Sequence, residues 1–257
     1  MADIISRSFL FPHVRCRTSN IIWYYSDMDL YHALNRGVDK RAIFLDSQDY
    51  ARFVHDMFEF NSTLPASNTR RKGMFDVGRR TSHLNLVNIG TGEKLVDIHG
   101  WCLMNNHYHL LLNERVEGGI SLFLKKLNGG YAKYFNERYV RVGTLFQGRT
   151  KKILIDSDAH FLHILNYIHF NTLDMHEETS EWRSKKIDDI DSAIAHLRSY
   201  RWSSYLDYSG TKNFPSILTT SLFQGVFNNN YTAQAEKYLR DISLNTDIQS
   251  IRHLTLE

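Results

Sequence analysis

The stretch WCLMNNHYHLLLNE, Trp101 to Glu114, decides how the chain is read. Two apolar runs flank Asn105-Asn106, residues with turn chemistry. With the preceding KLVDIHG they predict two strands joined as a hairpin. The second run holds His107 and His109 on either side of Tyr108. Side chains i and i+2 of a strand share a face, so the two histidines project side by side and Tyr108 points the other way. Two imidazoles so placed can take one cation, histidine being the commonest metal ligand. A lone His-x-His also arises by chance on sheets, so the pair needs corroboration from elsewhere in the chain.

Outward from the hairpin, strands and helices alternate. LYHALNRG, Leu30 to Gly37, reads as a strand closing in a turn. DSQDYARFVHDMFEFN, Asp46 to Asn61, reads as a helix with Asp46 or Ser47 as cap. Tyr50, Phe53, Met57 and Phe60 form its apolar stripe. GGISLFLKKLNGGYAKYFNERY, Gly118 to Tyr139, is a second helix, with Ile120, Phe123, Leu127, Tyr131 and Tyr134 on its apolar side. Gly129 and Gly130 in its interior cost roughly 1 kcal/mol each relative to alanine. Close approach of another group would offset that cost. GTLFQGRTKKILI is strand-like, and DSDAHFLHILNYIHFN, Asp156 to Asn171, is a third helix capped by Ser157 or Asp158. The order β-α-β-β-α-β-α predicts an α+β fold: a ferredoxin-like, largely antiparallel sheet with helices packed on one face.

Organisation follows from the same pass. Residues 1–28 form an unassigned N-terminal extension, residues 29–173 the core domain, and residues 174–257 a mostly helical C-terminal extension. Residues 63–94 interrupt the core as a polar, basic insertion loop carrying Arg70, Arg71, Lys72, Arg79 and Arg80. Two cysteines without a CxxC argue against a disulfide framework or a thiolate zinc site and suit a reducing cytosol. No apolar run nears the roughly 20 residues that span a bilayer. The net charge is only +3, but Arg115 to Lys152 holds nine basic residues against two acidic. Such a block suits a polyanion surface or a solvated helix face, and charge alone does not favour the polyanion.

The third helix corroborates the histidine pair. His160, His163, Tyr167 and Asn171 recur at spacings of three, four and four, forming one polar stripe. An asparagine carbonyl is a neutral, hard ligand that can join two histidines. A tyrosine one turn away then presents its phenol beside the metal. Phenol has a pKa near 10, so at neutral pH it needs help to attack. A metal gives that help by polarising the electrophile, for example a phosphate oxygen. Tyr131 and Tyr134 compete as nucleophiles, but they lie on or beside an apolar stripe. His163 stands one turn before Tyr167, within reach of its proton.

The motifs YHALNRG…IFLD, HGWCLMNNHYHLLL, LKKLNGGYAKYFN, GTLFQGR and LNYIHFN resemble, in order, those of the REP-associated tyrosine transposases, a branch of the single-tyrosine HUH transposases. YRWSSYLDYSG resembles the segment that follows the core in that family. The resemblance covers roughly Leu30 to Gly210, apart from the insertion and an acidic connector. It implies a domain that cuts and rejoins single-stranded or hairpin DNA in the nucleoid of the cytoplasm. It also implies His107, His109 and Asn171 as ligands of Mg²⁺ or Mn²⁺ and Tyr167 as a nucleophile giving a 5′-phosphotyrosine. With two imidazoles in the shell, Mn²⁺ is expected to bind at least as well as Mg²⁺. Asn35 and Arg36 are DNA contacts by family position. Lys125, Lys126, Lys133, Arg149, Lys151 and Lys152 are basic candidates for phosphate contacts. The family usually continues with a proline after the asparagine, whereas here TLDMHEETSEW follows Asn171. Two other readings stand beside this one: a domesticated, non-cutting binder of structured DNA, and a hydrolytic nuclease. The sequence leaves monomer and homodimer open.

Overall fold

The computed structural model describes residues 28–65, 92–179, 181–184, 187 and 189–244. Residues 66–91, with the basic residues Arg70 to Arg80, lie outside the described residues, as does most of the N-terminal extension. Four strands, β1 (Leu30–Arg36), β2 (Val96–Met104), β3 (His107–Glu114) and β4 (Lys151–Leu154), form one sheet in the order β2-β3-β1-β4. Every pairing is antiparallel. With α1 (Ser47–Glu59) and α2 (Gly119–Arg138) this is the expected ferredoxin-like α+β order, and α3 (Asp158–Phe170) follows β4. The strand expected from GTLFQGRTKKILI is shorter than its apolar pattern suggests, because only its last third pairs along β1.

The hairpin turn is Asn105-Asn106, and its carbonyls are put to use. Gly37 N–H donates to Asn106 O at 2.8 Å, while Ile43 and Phe44 N–H donate to Asn105 O at 2.8 and 3.0 Å. These bonds tie the end of β1 to the end of the hairpin and fix the level of the histidines on the sheet. Asp46 caps α1 by accepting from Gln48 and Asp49 N–H, and Ser157 caps α3 by accepting from His160 N–H.

The sheet is buried on both faces, which corrects the expectation of helices on one face. Tyr108, Leu110 and Leu112 of β3 enter a core with α1 and α2. Leu111 enters a second core with Ile164, Leu165, Tyr167 and Ile168 of α3. The run LLL at Leu110–Leu112 carries the reason, since a strand apolar at successive positions has two faces to cover. On β2 the register shifts between Ile98 and Gly100. A Cβ on Gly100 would stand 2.6 Å from Leu165 Cδ1, so this glycine lets α3 lie close on the sheet.

The second core also holds Trp182, Ala193 and Leu197, and Phe223, Tyr231 and Leu239 from further on. Ala193 and Leu197 belong to α4 (Ile190–Ser199), Phe223 to α6 (Ser221–Val226), and Tyr231 and Leu239 to α7 (Tyr231–Leu244), with α5 (Tyr205–Tyr208) between, while Trp182 opens a 3-10 turn before α4. The extension after residue 173 therefore shares one core with the site-bearing helix. At its centre His169 is fully buried, with Nδ1 2.7 Å from Tyr231 Oη and Nε2 2.7 Å from Ser204 Oγ.

The two helix-interior glycines divide. A Cβ at Gly130 would run into the ring of Phe60, while at Gly129 it meets nothing within 4 Å. Close approach thus explains Gly130, and nothing in the structure explains Gly129. Gly130→Ala is expected to destabilise the fold by about 1–3 kcal/mol through overpacking. Gly129→Ala is expected to stabilise it by about 0.5–1 kcal/mol. Urea unfolding of the two variants checks both signs.

Candidate functional site

The site is built on the two central strands. His107 pairs with Arg36 across the ladder, and His109 with Leu34. Both histidines are buried, at 7% and 4% exposure, and their rings stand 5.0 Å apart at 78°. A third histidine, which the sequence reading passed over, joins them from β1. His32 Nε2 lies 2.9 Å from His109 Nδ1, and the two rings stack at 5.1 Å.

These contacts select tautomers. Asn106 Oδ1 is an acceptor 2.6 Å from His107 Nδ1, so that nitrogen carries the proton and Nε2 keeps its lone pair. His109 Nε2 is buried and has no hydrogen-bond partner among the described residues. An orphaned N–H is costlier than an unmet acceptor. His109 therefore donates from Nδ1 to His32 and leaves a lone pair on Nε2. A neutral imidazole whose other N–H is held by a second group is the form that ligates metals. Burial foremost, then His107, His32, Arg183 and Arg36, holds His109 well below its ordinary pKa. Burial, with help from His160, pushes His32 down to about 3. Both rings are neutral at pH 7.

Helix α3 crosses the same face. Tyr167, 4% exposed, sets its ring edge-on to His109 at 5.9 Å and to His32 at 5.8 Å. The polar stripe expected along α3 does not stay together. His163 turns its ring to Tyr238 of α7 at 5.0 Å, within the extension. Tyr131 and Tyr134 belong to the opposite core, where their hydroxyls donate to Ile43 O and Asp49 Oδ1. Tyr167 alone among these tyrosines faces the histidines.

Asn171, fully buried, follows one turn after Tyr167. Its amide nitrogen donates to Tyr167 O at 2.7 Å, and its Oδ1 accepts from Arg183 Nη2 at 2.5 Å. Arg183 also donates to Asp174 Oδ1, which takes a second bond from Trp182 Nε1 at 2.7 Å. The guanidinium carbon lies 5.8 Å from the Tyr167 ring centre. The residues after Asn171 thus fold back as short 3-10 turns and bring an arginine onto the proposed third ligand.

The basic block divides between the two sides of the sheet, so it is not the single polyanion surface its clustering suggested. Residues directly opposite in a ladder share a face. Lys151 pairs with Leu34 and so lies in the His109 row, and Arg36 lies in the His107 row. Lys152 pairs with Ala33 on the other face and donates to Ser121 Oγ of α2. Lys125, Lys126 and Lys133 ride on α2, which packs on that other face. Lys126 Nζ is tied to the carbonyls of Ser62 and Leu64, and Lys133 pairs with Glu137 at 3.6 Å. Asn35 is buried and holds Gly148 O and Thr150 Oγ1, so its visible role is to anchor the segment before β4. Arg149 is exposed beside that segment.

Among the described residues no group of three or more His, Cys, Asp and Glu is arranged to hold a metal. The residues that could hold a cation are His107 and His109 through Nε2 and Asn171 through Oδ1, which already accepts from Arg183. The tautomers are open to a direct check. Long-range ¹⁵N–¹H correlation spectra at pH 7 are expected to show His107 and His109 protonated at Nδ1. His32→Leu is expected to scramble the His109 signal and leave that of His107 unchanged.

Among known proteins, the family model described as "Transposase IS200 like" matches residues 66–171. No curated protein matches the chain. A solved structure, that of a REP-associated tyrosine transposase bound to a REP hairpin, aligns over 83% of this chain and 93% of that one. The identity is 11% and the TM-score 0.42, a likeness too distant for a functional reading. Among the described residues no helix is long and apolar enough to cross a membrane. The matched segment contains His107, His109, Tyr167 and Asn171, so the core of this chain is similar to the IS200-like transposases in the very stretch that builds the site.

Proposed function

We propose that the chain is a DNA strand transferase that cuts and rejoins single-stranded or hairpin DNA through Tyr167. The observation that carries this reading is the edge-on packing of Tyr167 against His109 at 5.9 Å, on the face where His109 Nε2 is buried and unpartnered. The family match over the same stretch supports it.

His107, His109 and Asn171 are the residues that would hold a divalent cation, Mg²⁺ or Mn²⁺. When bound, the cation supplies Lewis-acid polarisation of a phosphate oxygen. The chain does the rest. The Tyr167 phenol oxygen attacks the scissile phosphorus and gives up its proton. The P–O bond to the 3′ oxygen breaks, and that oxygen leaves as a 3′-OH. A 5′-phosphotyrosine forms, which another 3′-OH can resolve by the reverse attack without ATP. Arg36 and Lys151, on the histidine face, supply positive charge for the DNA backbone. His32 keeps His109 in the ligating tautomer. Tyr167 is held between the histidines and Trp182, so little freedom is lost on attack.

One observation favours the non-cutting binder instead, namely the Arg183 guanidinium on Asn171 Oδ1. A denaturing gel with labelled single-stranded oligonucleotides separates the two. A protein–DNA adduct is expected with Mn²⁺, lost with EDTA and lost in Tyr167→Phe, which still binds DNA. Tight, EDTA-insensitive binding with no adduct on any substrate would establish the binder. An adduct that persists in Tyr167→Phe would assign the nucleophile elsewhere.

A further inference from the structure

Arg183 lies outside the matched family segment, twelve residues after Asn171, and yet its guanidinium is in the site. Its side chain is 20% exposed, so its charge is poorly screened. One nitrogen is on Asn171 Oδ1 at 2.5 Å, the other on Asp174, and the charge bears on His109. Resting on the reading that His107, His109 and Asn171 hold a metal, we infer that Arg183 couples metal loading to DNA. The guanidinium sits on the oxygen the metal needs, and a phosphodiester is the anion that draws it off.

A carbonyl oxygen has two lone pairs, so the arginine does not block Asn171 sterically. A cation held by Asn171 would share that oxygen with the guanidinium, and like charges brought so close repel strongly in a poorly solvated site. Metal and arginine therefore exclude each other until an anion stands between them. A phosphodiester meets the requirement, because the planar fork of arginine matches two phosphate oxygens. Asp174 keeps the arginine at hand when it leaves Asn171. Its Oδ1 holds the other guanidinium nitrogen and is itself fixed by Trp182 Nε1. The Tyr167 ring lies within 5.8 Å of the guanidinium carbon, so a phosphate placed for attack is within its reach. Linkage requires reciprocity: DNA raises metal affinity by the factor by which metal raises DNA affinity.

The test is Mn²⁺ binding to the full chain, followed by the electron paramagnetic resonance signal of free Mn²⁺. The reference protein carries Tyr167→Phe to prevent cleavage and stands as wild type at every other position; Arg183→Gln, Arg183→Lys and His109→Ala are made in that background, and each is measured with and without a single-stranded oligonucleotide pool. Glutamine keeps an N–H for Asn171 and removes the charge. Arg183→Gln is expected to bind Mn²⁺ about tenfold more tightly without DNA, and to gain less from DNA than wild type. Arg183→Lys, which keeps the charge, is expected to stay within about twofold of wild type. A merely structural arginine would lower the melting temperature and leave the coupling to DNA in place. Mn²⁺ binding that needs His109 but is unchanged or weaker in Arg183→Gln overturns the inference and leaves the metal reading standing. Mn²⁺ binding that ignores His109 in every variant overturns both. If Arg183→Gln does not fold, Arg183→Met is the second charge-free variant and is read against the same outcomes.

Discussion

Two imidazoles on a central strand have to be buried without being charged, and this constraint organises the site. The hydrogen bond between His32 and His109 meets it. It links β1 to β3 across one face of the sheet, satisfies one nitrogen of His109 and leaves the other as a lone pair. Without it, an imidazole at 4% exposure would keep two polar atoms to satisfy in an apolar layer. Asn106 does the same for His107 from the hairpin turn. The turn thus sets both the register of the strands and the protonation of a site residue.

The second constraint is what covers that face. The opposite face is closed by α1 and α2, and its aromatic core makes the ferredoxin-like unit self-sufficient there. The histidine face is closed by α3, which must come close enough for Tyr167 to touch His109. Gly100 beneath Leu165 permits that approach. The outer side of α3 is in turn apolar and is covered by the C-terminal extension, with Phe161 stacked on Phe223 and His169 bonded to Tyr231 and Ser204. The extension is therefore part of what positions Tyr167. It also delivers Arg183 and Asp174 through the 3-10 turns that follow α3.

Much of this was legible in the chain itself. The period-two pattern of HYH, the turn at Asn105-Asn106 and the caps at Asp46 and Ser157 are local signals, and the structure realises each of them. The order of strands and helices along the chain, and with it the antiparallel α+β class, follows from the alternation of apolar patterns. What escaped is tertiary. His32 in YHALN reads as an ordinary strand residue, and its meaning depends on the β1–β3 register. Its parity with Leu30, Leu34 and Arg36 is the one sequence signal that would have placed it on the histidine face. Arg183 sits in an acidic connector with no period, and only the 3-10 turns after Asn171 return it to the site. The basic block was misleading for the opposite reason. Its residues are close in sequence, but strand alternation and the position of α2 put most of them on the far face.

The most direct test of the account is to identify the residue that becomes linked to DNA. The protein is incubated with Mn²⁺ and a single-stranded oligonucleotide that yields an adduct, digested with nuclease and protease, and the nucleotide-bearing peptide is sequenced by mass spectrometry. A nucleotide 5′-phosphate is expected on Tyr167 within the tryptic peptide ILIDSDAHFLHILNYIHFNTLDMHEETSEWR. A nucleotide on Tyr131, Tyr134 or any other side chain would contradict it, because among the tyrosines of the described residues Tyr167 is the one packed on His109.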